Sequence, residues 1–66
     1  MEIQVTDLNG CPIKIEATDL DKAIEQADYF KDCHHVPPVP YDIVRQVYWR
    51  DMYEKLKAIK EKSNNN

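Results

Sequence analysis

The chain predicts a small α+β domain of order β-β-α-α, on three observations. Two short runs that alternate apolar and polar residues flank an Asn-Gly pair near the start. An apolar stripe at helical spacing follows from Leu20 to Phe30, and a longer apolar run from Val44 to Ile59 comes after a proline-rich segment. Alternation reads as strand and the 3–4-residue spacing as helix, while prolines separate the two helices. In 66 residues, 42% apolar and 32% charged, these elements make one domain over residues 1–62, with a polar disordered tail at 63–66.

Residues 2–17 predict a bulged hairpin. Ile3 and Val5 alternate with Gln4 and Thr6, and Ile13 and Ile15 with Lys14 and Glu16, so each strand has one apolar face. The loop decides whether those faces agree. A two-residue Asn9-Gly10 loop would pair Val5 with Lys14 and set the faces on opposite sides. A three-residue Leu8-Asn9-Gly10 loop pairs Val5 with Ile13 and Ile3 with Ile15, as a single buried face demands. Turn chemistry agrees: Asp7 suits the first position of a type I turn, and Gly10 the left-handed bulge position. Pro12 has no N–H and belongs at a sheet edge.

Thr18 is placed to cap a helix over 19–33, with Asp21 in the acidic position three residues on. Leu20, Ala23, Ile24, Ala27 and Phe30 form its apolar stripe, and Asp21, Glu25, Asp28 and Asp32 an acidic stripe on another face. Residues 35–40 contain Pro37, Pro38 and Pro40 and predict a stiff extended connector. Their Pro-x-x-Pro spacing also suits docking in an aromatic groove, but joining two helices is the simpler role. A second, long helix over 42–62 carries Val44, Val47, Tyr48, Met52, Leu56 and Ile59 on its apolar side, with Ile43, Trp49 and Tyr53 at the flanks.

Lengths point to a second copy. At 1.5 Å per residue the first helix is ~20 Å long and the second ~30 Å, against ~20 Å for the strands. The second helix therefore outruns the other elements by ~10 Å. The overhang is expected in its last half, where Tyr53, Leu56 and Ile59 lie. Its apolar arc is wide, which predicts cover on more than one side, and a two-stranded hairpin with one helix is a poor core. The expectation is a non-enzymatic interaction or regulatory module. It acts as a homodimer, docked or swapped through the second helix, with Trp49, Met52, Tyr53, Leu56 and Ile59 as contact residues. A further protein partner is left open.

Composition sets the class. No run of about 18 apolar residues can span a membrane. No basic and apolar leader opens the chain, and two cysteines are too few for a disulfide scaffold. A cytoplasmic protein with reduced thiols is expected. The net charge is −3, but it is unevenly spread. Residues 1–33 carry eight acids and three bases, residues 34–66 four acids and six bases. A dipolar chain of this kind suits self-complementary association better than adhesion to nucleic acid.

Three groups of residues are candidates for chemistry. Cys33, His34 and His35 would meet Cys11 beside the hairpin turn if the first helix runs back along the second strand, and all four are zinc-type ligands. No Cys-x2–4-Cys or His-x3–5-His spacing supports a metal there. As a nucleophile, Cys33 would sit at the negative end of its helix, which disfavours the thiolate. On the second helix Gln46, Arg50, Tyr53, Lys57 and Lys60 form a stripe in which Arg50, Lys57 and Lys60 could meet phosphates. The same cations could instead pair with the acidic stripe of the first helix. The paired acids Asp19/Asp21 and Asp28/Asp32 read as solvated helix faces. The alternatives to the interaction module are a nucleic-acid accessory protein using the basic stripe and a zinc- or thiol-dependent switch at Cys11, Cys33, His34 and His35. No constellation calls for catalysis or a cofactor, and neither nucleic acid nor membrane is the first expected partner.

Overall fold

The computed structural model describes Met1–Asn64, with side chains to Lys62. Strand β1 (Glu2–Thr6) pairs antiparallel with β2 (Pro12–Glu16). Ile3 faces Ile15 and Val5 faces Ile13, the register of the three-residue loop. The Gly10 N–H donates to the Asp7 carbonyl at 3.1 Å, and the Asp7 N–H to the Cys11 carbonyl at 2.9 Å. Gly10 has a φ of +87°, which a Cβ would make costly. The Ala17 N–H carries the pairing on to the Met1 carbonyl at 2.8 Å.

The chain enters its first helix differently from the expected cap. Ala17–Asp19 make one 3-10 turn, and helix α1 runs over Leu20–Phe30. Thr18 lies inside that turn and does not cap the helix. Asp19 holds the cap position without a side-chain bond. The Leu20 N–H is satisfied by the Ala17 carbonyl, so the tight turn answers a donor that a side chain would otherwise have to meet. The far end also falls short of residue 33. The Asp32 and Cys33 N–H groups close back on the Tyr29 and Phe30 carbonyls, a tightened last turn. The His35 N–H then turns away to the Asp42 carboxylate at 2.9 Å, which ends the helical path.

Helix α2 spans Pro40–Asn64, 25 residues. It begins inside the segment expected as connector, because proline suits the first helical position, where no N–H partner exists. Asp42, in the third position, accepts the Val39 N–H at 2.9 Å, the acidic half of a capping box. At the other end Ser63 and Asn64 extend the helix. The remainder of the expected tail, Asn65 and Asn66, lies outside the described residues.

Helix α1 lies antiparallel on α2. Asp21 pairs with Lys60, Phe30 stacks on Trp49 at 5.1 Å between ring centres, and the Cys33 carbonyl accepts Gln46 Nε2 at 3.1 Å. The hairpin rests on the same helix, with Lys55 Nζ donating to the Thr6 carbonyl at 2.8 Å. Val5, Leu20, Ala27, Met52 and Leu56 are buried, ringed by half-buried residues that include Ile3, Ile13, Ile15, Ile24 and Ile59. The core therefore sits on the second half of α2.

This register corrects the expected overhang. With α1 laid against residues 46–60, the projecting turns are at the start of α2, not in its last half. Val44 and Val47, expected in the core, are 60% and 47% exposed, and Ile43 is 66% exposed. Among the described residues no helix is long and apolar enough to cross a membrane.

Candidate partner face and the start of the long helix

At about 100° per residue, Ile43, Val44 and Val47 point roughly opposite to Met52 and Leu56. The helix thus buries one side in the core and offers three β-branched side chains on the other. Further along the outer side come Asp51, Glu54 and Ala58, so the apolar strip is confined to the first turns. Tyr41, 63% exposed, stands at its edge. A helix apolar on opposite sides is what the wide arc announced, but which side met the core was not readable from spacing.

The residues expected as dimer contacts are mostly spent inside the chain. Met52 and Leu56 are 4% and 2% exposed, in the core. Trp49 is half-buried between Phe30 and Tyr48, and Ile59 packs against the core. Tyr53 is half-buried, with the Lys31 and Lys57 ammonium groups each 5.4 Å from its ring centre. Met52 and Leu56 have almost no surface left for a partner, whereas Trp49, Tyr53 and Ile59 keep part of theirs.

Two aspartates fix the elements on which the strip is mounted. Asp42 is buried and accepts three bonds: the Val39 N–H and the His35 N–H, both at 2.9 Å, and His35 Nδ1 at 2.6 Å. The Val39 N–H, followed by the His35 N–H and ring, pulls its pKa down to about 2 against the opposing effect of burial. One carboxylate therefore ties the connector to the first turn of α2. Asp7 does the same for the hairpin turn. Its Oδ1 accepts the Asn9 and Cys11 N–H groups at 2.9 and 2.8 Å, and its Oδ2 the Tyr48 hydroxyl at 2.9 Å. The Cys11 N–H is the main cause of its lowered pKa, with help from Tyr48, Asn9 and Lys55. Burial, then the Asp7 carboxylate, pushes the Tyr48 hydroxyl up. Sequence reasoning placed Asp7 in its turn but missed both long-range roles. The signal for Asp42 was local: a proline followed two residues on by an acid.

The Cys-His-His end does not assemble as a metal centre. Among the described residues no group of three or more His, Cys, Asp or Glu is placed to hold a metal ion. His34 Nδ1 donates to the His35 carbonyl at 2.8 Å, and His35 is held by Asp42. Cys33 is half-buried and Cys11 exposed, both as free thiols. The two histidines serve the connector, and the four donors do not converge on a common point.

The basic stripe is divided. Arg50 and Lys57 are exposed, but Lys60 is paired with Asp21 of α1 and Lys57 lies over Tyr53. The Arg50 charge also helps to lower the pKa of Asp32, after the larger effect of Lys31. Pairing with the acidic stripe is thus the use to which part of the set is put. The chain matches no protein-family model, no curated protein and no solved structure, so its function has to be read from these residues.

Proposed function

We propose that the chain is a non-enzymatic interaction module that associates with a second copy of itself through the outer side of the first turns of α2. The observation that carries this is the cluster of Ile43, Val44 and Val47, about half or more exposed on the side turned away from the core. An apolar patch bordered by charge favours a partner. A second copy suits it because a twofold axis through the middle of the strip pairs the cluster with itself. In the antiparallel arrangement Ile43 of one copy lies by Val47 of the other. Asp51 and Glu54 then come beside the helix start of the second copy, where the helix dipole favours acids. Three side chains per copy bury less than the ~1,200 Å² typical of stable complexes, so the dimer forms and dissociates with concentration.

Sedimentation equilibrium of the untagged chain over a concentration series tests this. The mass is expected to climb from one chain toward two. Val47→Asp is expected to hold it at one chain with an unchanged circular dichroism spectrum. A parental chain that stays single at its highest soluble concentration refutes the reading.

A further inference from the structure

A cleft of about 370 Å³ opens between the hairpin turn and α2, and it adjoins the outer strip at Val44. Tyr41, Tyr48 and Trp49 wall it, Asp7 and Asn9 close the hairpin end, and Arg45 reaches it from α2. The volume falls in the ~300–1,000 Å³ range of small-molecule sites. Arg45 is half-buried, and among the described residues its guanidinium has no ion pair or hydrogen bond. A guanidinium carries five N–H donors, so that of Arg45 is left free to take an acceptor from outside the chain. The nearest acid in the lining does not answer it. Asp7 is already engaged by Asn9, Cys11 and Tyr48.

We propose that this cleft binds a small aromatic monocarboxylate, with Arg45 holding the carboxylate and Tyr41, Tyr48 and Trp49 receiving the ring. The flat fork of a guanidinium matches a carboxylate in two parallel bonds. The aromatic walls suit a flat ring in stacked or edge contact. The ligand carries one negative charge because the single cation is matched against one, while the Asp7 carboxylate in the same wall repels a second.

Trp49 is the chain's single tryptophan and lines the cleft, so its emission reports occupancy. The full chain is titrated with benzoate, benzamide and phenyl phosphate, by Trp49 fluorescence and by amide chemical shifts. Benzoate is expected to saturate in the millimolar range, with shifts over residues 7–11 and 41–49. Benzamide, which lacks the charge, and phenyl phosphate, which has too much, are expected to bind about tenfold more weakly. Arg45→Gln is expected to bring benzoate down to the benzamide level without changing the circular dichroism, since Arg45 holds nothing in the fold. The proposal is overturned by benzamide binding as well as benzoate, by tighter phenyl phosphate, by unchanged benzoate affinity in Arg45→Gln, or by no saturable shift.

Discussion

Asp42 fastens the His35 and Val39 N–H groups and the His35 ring with one carboxylate, and this gives the fold an acid limit. In the unfolded chain an aspartate protonates near 3.8, but here the value is about 2. The folded state therefore holds fewer protons in that window. Its contribution is complete above 3.8 and is lost as the pH falls toward 2. Asp7 shifts in the same direction. Thermal unfolding followed by circular dichroism is expected to give a Tm that is level above about pH 4 and falls below it. Asp42→Asn should lower the Tm at pH 6 and flatten the acid decline. A decline as steep as in the parental chain would mean that other groups carry it. Gly10→Ala tests the turn: a Cβ at this φ meets no neighbour, so the cost is backbone strain alone, about 1 kcal/mol. The turn residues were legible because turn chemistry is local. The bond from Asp42 to His35 was not, because it crosses seven residues of proline-rich chain whose path no periodicity describes.

The strands and helices themselves followed from pattern. Alternation and the loop length together left one hairpin register, and that register is present. The amphipathic stripe of α1 likewise meets the core, at Leu20 and Ala27. What spacing could not set was the sliding register of one helix on the other. The Phe30–Trp49 stack and the Asp21–Lys60 pair fix it, and they leave the start of α2 uncovered rather than its end. The stability of α2 should divide along the same line. Leu56→Ala is expected to cost about 2–5 kcal/mol in urea unfolding, because the side chain is fully enclosed. That is a large share of what a domain this small holds. Val44→Ala, in dilute solution where one chain is present, should stay within about 0.5 kcal/mol of the parental value. If the two costs came out in the reverse order, the core would lie on the other side of the helix.

The molecule measures 44 × 21 × 16 Å, with a radius of gyration of 12.9 Å, against about 11 Å for a compact chain of this length. The excess reflects the length of α2, whose 25 residues outrun the 11 of α1 and the strands. The uneven charge of the two halves of the chain is partly answered within it, by Lys60 on Asp21 and by Arg50 near Asp32, so charge contributes less than apolar surface to any association. Amide hydrogen exchange separates the two ends of the helix. Amides around residues 52–59 exchange only when the core opens, whereas those around 43–47 exchange by local opening, since little packs over them. Association raises protection only where the copies touch, by mass action. Exchange at two concentrations roughly hundredfold apart should therefore leave the opening free energy difference large at low concentration and shrink it at high concentration, through slower exchange at 43–47. Val47→Asp should abolish that change and leave residues 52–59 as slow as before. If sedimentation finds a dimer while exchange at 43–47 ignores concentration, the copies meet on another surface, and the exposed strip at the start of α2 is left for a different partner.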